Sequence, residues 1–297
     1  MKVKSFDQLS EAERQKLYQF VVQVGPDYYF SSYGEMLEDY LGFLFSQGKG
    51  HFSLWKGKDV IATAGVITEE IASRGEAFIT GLTCAQAEQE NFPQLLDAVI
   101  GYTRAFQPRV IRLGVPWEHR YLASEVERAG FEESYRALVF RHQGAASLDE
   151  LPFSSLSLQE LTVDNSRVFQ RIHDDAFRDS PNSGCLAEEE LEARLRPDSD
   201  LICGIALEKG QPVGAYELKV EGDTGWIEFL AISPSVQGQG LGKRLLLQLV
   251  NSLYQRGCRE VKLFVISSNT RASNLYSRTG FVQEQIATFW YSLDLTK

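Results

Sequence analysis

Seven consecutive residues, Gln237-Gly238-Gln239-Gly240-Leu241-Gly242-Lys243, have the composition of an anion-binding loop. Glycine has no Cβ, so successive main-chain N–H groups can turn toward one negatively charged group. Ahead of the run lies Trp226-Ile227-Glu228-Phe229-Leu230-Ala231-Ile232, a strand pattern stopped by Ser233-Pro234. Behind it Leu245, Leu246, Leu249, Val250 and Leu253 recur at helical spacing as far as Gly257, a fitting C-terminal stop. A strand, a glycine loop and a helix in that order aim the helix N-terminus, with its dipole and unpaired donors, at a bound phosphate. Two common phosphate loops are excluded. The G-x-x-x-x-G-K-[ST] pattern fails because Arg244 follows Lys243, and G-x-G-x-x-G fails because the run reads G-x-G-x-G with no βαβ repeat around it.

The rest of the chain must position this loop. Its 297 residues suffice for two domains, and 43% hydrophobic with 24% charged residues is a soluble globular composition. No apolar run approaches a membrane span, and Met1-Lys2-Val3-Lys4-Ser5 lacks the apolar stretch of a signal peptide, which predicts a cytoplasmic protein with no membrane association. Cys84, Cys185, Cys203 and Cys258 show no metal or redox spacing, and neither do the four histidines, so reduced thiols and no metal are expected. The net charge of −10 argues against nucleic acid. Residues 1–150 hold 15 basic and 21 acidic side chains and the remainder 15 and 19, so neither half is a basic module.

The two halves repeat one plan. Leu54 to Ala62 parallels Leu207 to Ala215 at an offset of 153; Leu82 parallels Leu230 at 148; Gly130-Phe131 parallels Gly280-Phe281 at 150. The strand Arg109 to Leu113 likewise answers Val261 to Val265. Such slowly drifting offsets are those of a diverged duplication. Ser10 and Glu13 suggest a capping box at the first helix, and Gly144-Ala145-Ala146-Ser147 marks a linker. Opposite the glycine run, the first half has Ala85 to Pro93, with Glu88 and Glu90 and no glycine. Carboxylates there would repel a phosphate.

The loop matches Q/R-x-x-G-x-G/A and so resembles the acetyl-CoA loop of the GNAT family of N-acetyltransferases. The hairpin around Leu207–Ala215, the strand Val261–Val265, and Asn269, Leu275-Tyr276 and Thr279-Gly280-Phe281 follow in the family's order. The resemblance implies an α+β fold of two tandem GNAT-like domains, each a mostly antiparallel mixed sheet flanked by helices. Their expected bounds are 1–143, without a phosphate loop, and 155–297, joined by a linker at 144–154. It implies acetyl-CoA as co-substrate and a primary amine, in all expectation a small molecule, as acceptor. Leu230, Ala231 and Ile232 would then run along the pantetheine arm, Gln237, Gly238, Gln239, Gly240, Leu241, Gly242 and Lys243 would cradle the pyrophosphate, and Asn269 would bond the pantetheine.

By the same resemblance Tyr276 is the general acid for the departing thiolate, a phenol near pKa 10 being well matched to a thiol. Glu228 is the candidate base. Strict alternation would put it on the face of Trp226 and Leu230, where an apolar setting raises a carboxylate's pKa. Ordered water competes for that role, and Glu217 follows well behind. The acids of His173–Asp179 and Glu188–Glu190 suit a cationic amine but read more simply as a solvated face and a helix start. Trp290 and Tyr291 read as core or edge packing, with a pocket role as the alternative. Rival readings are a CoA-binding regulatory module without turnover, and an acyltransferase for another acyl-CoA or a protein N-terminus.

Overall fold

Alternating and periodic apolar residues fold in the computed structural model into two compact units, and the structure describes residues 1–25, 30–144, 156–181 and 185–296. The first unit comprises Met1–Ala137 with Ile286–Lys297, and the second Leu138–Gln285. Along the first run β1 (Lys2–Ser5), α1 (Glu11–Val24), α2 (Tyr33–Tyr40), β2 (His51–Lys56), β3 (Asp59–Ile67), α3 (Glu70–Arg74), β4 (Glu76–Cys84), α4 (Phe92–Arg104), β5 (Val110–Pro116), α5 (Ala123–Arg128) and β6 (Glu132–His142). There follow β7 (Ser157–Glu160), α6 (Ser166–Phe177), α7 (Glu188–Leu195), β8 (Leu201–Glu208), β9 (Gln211–Glu221), β10 (Thr224–Ile232), α8 (Leu241–Gln255), β11 (Glu260–Ile266), α9 (Thr270–Ser277) and β12 (Phe281–Asp294).

In the first unit the sheet order is β1-β2-β3-β4-β5-β12. Its pairs are antiparallel except β4 with β5. The amphipathic α4 lays Phe92, Leu95, Leu96 and Val99 on Leu54, Ile79, Leu113 and Val115. The capping box at Ser10 is present, with Glu13 accepting from the Ser10 N–H.

In the second unit β7-β8-β9-β10 are antiparallel, β11 adds parallel to β10, and β6 lies beyond β11. Helix α8 buries the five predicted residues Leu245, Leu246, Leu249, Val250 and Leu253 on one face of this sheet. Helix α6 covers the other face through Phe169 and Ile172, against Ile205, Ala215 and Ala231.

Two boundaries differ from the sequence reading. The second unit begins at Leu138, inside β6 and ahead of the expected limit at 143. Strand β12 is fourteen residues long, and its Thr288–Asp294 pair with Pro116–Val110 of β5, so this stretch joins the first unit and not the 155–297 segment. The linker expected at 144–154 lies outside the described residues except Gly144.

Candidate active site

Strand β10 carries two irregularities that make a cleft. Its parallel ladder with β11 covers only Thr224–Ile227 against Glu260–Leu263, so Glu228–Ile232 part from that neighbour. Its antiparallel register with β9 slips between Ile227 and Phe229, which makes Glu228 the extra residue of a β-bulge. The bulge resets the alternation. Gly225 faces Leu253 of α8 before it, whereas Phe229 and Ala231 join the α6 cluster after it and Ile232 turns to Leu245 of α8. The expectation that Glu228 and Leu230 share a face is therefore corrected, because strict period two does not survive an inserted residue.

Beyond β10 the chain enters the glycine run. Gly238 and Gly240 stand at φ +84° and +79°, a left-handed conformation that side chains rarely adopt, and a Cβ at either would meet open space. Gly240 is the N-cap of α8. Among the described residues no main-chain acceptor serves the N–H groups of 238–243; the first turn bond runs from the Arg244 N–H to the Gly240 carbonyl at 3.2 Å. These are the free donors of a helix start, held where nothing blocks an approaching phosphate.

The strand end, the loop and α9 enclose a cleft of about 420 Å³. Its walls include Leu230, Ala231 and Ile232, then Gln237, Gly238, Gly240, Leu241, Gly242 and Lys243, and then Asn269 and Tyr276. Ala176 and Phe177 at the end of α6 close one side. Of the residues expected from sequence, Gln239 and Glu228 are not on this wall.

Side-chain bonds brace it. Gln237 Nε2 donates to the Ile232 carbonyl at 2.9 Å, tying the loop to the strand end. Arg271 Nη1 donates to Gln237 Oε1 at 2.7 Å and itself lines the cleft. Arg271 was missed from the sequence; its place two residues after Asn269, in the first turn of α9, was the available signal. Asn269 is an N-cap whose Oδ1 accepts from the Ala272 N–H at 3.0 Å, which leaves its Nδ2 to donate elsewhere. Tyr276 packs against Phe281 and Phe140 at ring-centroid distances of 5.9 and 6.2 Å, and burial pushes its phenol up to about 12. It therefore stays protonated throughout the physiological range.

The carboxylates separate into distinct roles. Glu217 is buried and bonded by Arg194 Nε at 2.5 Å, which ties it up as a structural ion pair. Glu228 is more exposed and has no ion-pair or hydrogen-bond partner among the described residues. Desolvation by the surrounding protein raises its pKa, and Glu217 raises it further, against an opposing pull from Lys219. Near α6, Asp175 pairs with Arg178, Glu188 with Arg167, and Glu190 accepts from the Ala187 N–H at the start of α7. Those acids are solvated or capping. Trp290 stacks on Tyr135 and Tyr291 is buried, both in the first unit, so both are packing residues.

The first unit is built differently at its glycine-free segment. Gln86–Asn91 form a turn of 3-10 helix. Gln89 Nε2 donates to the Tyr121 carbonyl at 2.9 Å, and the Tyr121 hydroxyl donates to the Cys84 carbonyl at the end of β4. Glu88 is held by Lys56 at 2.8 Å. The segment thus has a 3-10 turn, in which the Glu88 N–H donates to the Ala85 carbonyl at 2.8 Å, in place of glycines with free N–H groups.

Among the described residues no group of metal-binding side chains is present, and no helix is long and apolar enough to cross a membrane. The pattern of the acetyltransferase (GNAT) family matches residues 166–281. A mycothiol acetyltransferase of Thermomonospora curvata is 29% identical over 191 residues, which are 59% of this chain and 62% of that protein, so the match spans under two thirds of that relative. One of Geodermatophilus obscurus is 28% identical over 261 residues, 79% of this chain and 82% of its own. Among solved structures, a GCN5-related N-acetyltransferase of Sphaerobacter thermophilus superposes with TM-score 0.68 at 17% identity, covering 99% of this chain and 95% of that one. A tandem GNAT protein of the clavulanic acid biosynthesis pathway gives 0.61 at 11%, covering 82% of each. At such identities the two structures speak for the fold.

Proposed function

The chain belongs to the GNAT family of acetyltransferases, and from that premise we propose that its second unit is an acetyl-CoA-dependent N-acetyltransferase passing the acetyl group directly to a primary amine on a small molecule. The observation that carries this reading is the convergence on one cleft of a strand edge freed from its neighbour, a ring of unpaired N–H donors and a half-buried phenol. The N–H groups of 238–243 would hold the pyrophosphate, Lys243 and Arg271 adding charge. The open edge of Leu230–Ile232 would bond the pantetheine arm, with Asn269 Nδ2 donating from across the cleft.

Chemistry follows from the two proton handlers. The amine nitrogen bonds to the acetyl carbon and the carbon–sulfur bond breaks. The surplus proton leaves the amine for Glu228, directly or through ordered water, and Tyr276 returns a proton to the thiolate. No covalent enzyme intermediate is needed. Cys203 is buried, bonds Glu217 Oε2 through its thiol at 3.4 Å, and is held well above the usual thiol range by burial, so it is a poor nucleophile. The first unit, its loop replaced by a bonded 3-10 turn, binds no cofactor in this reading.

Calorimetric titration with acetyl-CoA tests the proposal. One site per chain, abolished by Gly240→Glu, and thiol release on adding amines are the expected results. Two sites would overturn the reading of the first unit. Binding without turnover of any amine or acyl donor would make the protein a CoA-responsive module. Acceptors of the mycothiol type are a second reading, favoured by the name of the relative that shares 79% of this chain.

A further inference from the structure

Ile227 and Leu263 are the last paired residues before β10 and β11 part, and the next residues on the two strands are Glu228 and Phe264. Phe264 is 47% exposed, in a strand whose neighbours Leu263 and Val265 are buried. Its ring stacks on Trp226 at 5.0 Å between centroids and 11° between planes. The result is an aromatic shelf in which Trp226 backs a solvent-exposed Phe264 at the mouth of the fork. Cleft-lining Leu230 lies two residues beyond Glu228, a strand distance of about 6–7 Å.

Charge at the shelf is one-sided. Lys219, register partner of Trp226 across β9, is engaged by Glu221 at 2.8 Å and Asp200 at 3.6 Å. Lys262, register partner of Trp226 on β11, is engaged by Glu284 at 2.9 Å and Glu260 at 3.3 Å. Arg194 is taken by Glu217. Every cation at this place thus has a carboxylate partner, while Glu228 alone among these acids has no cation bonded to it among the described residues. A free carboxylate beside an open π-face complements one kind of occupant, a cation carried on a flat apolar body.

We propose that the Trp226–Phe264 shelf is the acceptor platform and that it selects a primary ammonium borne on a planar, largely apolar group without an anionic substituent. The assignment rests on the acyl-transfer reading of the adjoining cleft. The ring of the acceptor lies on the outward face of Phe264, which Trp226 backs, with its nitrogen toward Glu228, so the aromatic pair sets specificity and takes no part in proton transfer. Anionic amines are rejected because their carboxylate would face Glu228, Glu221 and Asp200.

The test uses 2-phenylethylamine, ethylamine and phenylalanine as acceptors for the full chain, with acetyl-CoA binding measured separately by calorimetry. 2-Phenylethylamine should have a kcat/KM at least about tenfold above either of the others. Phe264→Ala should raise the KM for 2-phenylethylamine about tenfold, far more than it alters the KM for ethylamine, with the affinity for acetyl-CoA as in the wild type, and Phe264→Tyr should restore it. Because Phe264 is exposed, the alanine variant is expected to fold, and the acetyl-CoA titration verifies this. Direct titration of 2-phenylethylamine into the CoA-saturated protein reads the shelf even without turnover. Equal binding by wild type and Phe264→Ala, or a preference for phenylalanine, would overturn the proposal. Loss of acetyl-CoA binding in the wild type would instead sink the acyl-transfer reading.

Discussion

At the scale of single residues, Glu228 and Tyr276, the proposed base and acid, differ in environment. Desolvation by surrounding protein raises both pKa values, which in the proposed roles would keep Tyr276 a donor and lift Glu228 above the ordinary carboxylate range as a base. Since only the carboxylate form of Glu228 accepts a proton, activity should fall as pH drops through a value above the ordinary 4.5 for glutamate. Glu228→Gln should lower kcat by about a hundredfold and erase that acidic limb, as a pH–rate series with saturating acetyl-CoA would reveal. An unchanged profile would hand the role to water. Tyr276→Phe should cut kcat by about ten- to a hundredfold and leave the calorimetric affinity for acetyl-CoA intact. These candidates could be named from the sequence because the glycine run and the Gly280-Phe281 pair fix the register. Their geometry was not. Neither the ion pair of Glu217 nor the lack of one for Glu228 is encoded in local spacing, since Arg194 comes from a different element.

At the scale of elements, the decisive object is β10. Its alternation reads cleanly from Trp226 to Ile232, and the sequence offers no glycine or proline to announce a bulge at Glu228. The slip arises from pairing with β9, a long-range effect invisible to a window of seven residues. Helix α8 is the opposite case: each of the five apolar positions read from periodicity is buried, and Gly257, at φ +92°, follows its C-terminus. The bridge from Arg271 through Gln237 to the Ile232 carbonyl joins α9, loop and strand. Arg271→Ala should therefore weaken acetyl-CoA binding about five- to tenfold and flatten its dependence on salt, measured by titration at two ionic strengths. An affinity and salt slope equal to wild type would leave Arg271 a bystander.

At the scale of the whole molecule, the duplication was legible because hairpins, strands and the terminal Gly-Phe pairs recur at nearly constant offset. Its two copies have drifted apart in what they bury. The first unit encloses His51 completely, stacked on Tyr40 at 3.5 Å and edged by Phe6 and Phe45. Thr63 Oγ1 donates to the Phe52 carbonyl at 2.7 Å and so meets His51 Nε2 as an acceptor, leaving Nδ1 bare. Burial lowers this imidazole to about 3 from the ordinary 6.5. The sign follows from linkage. The neutral ring is favoured in the folded state, so its contribution is complete above about pH 6.5 and declines as pH falls toward 3, by about 1.4 kcal/mol per pH unit. His51→Phe should flatten that slope in denaturant titrations between pH 6.5 and 4; a slope equal to wild type would show that other groups govern acid unfolding.

The placement of Ile286–Lys297 in the first unit has a bearing on biosynthesis. A ribosome delivers β5 some 170 residues before it delivers Thr288–Asp294, the stretch that pairs with it. Through that interval the nascent first unit presents Val110–Pro116 as an unpaired edge, open to mispairing with other chains. Vectorial, unit-by-unit maturation is therefore closed to this polypeptide. Its first half reaches its final state only after Thr288–Asp294 have been translated. Residues 1–143 made alone should aggregate, and a peptide of residues 286–296 supplied in trans should rescue them.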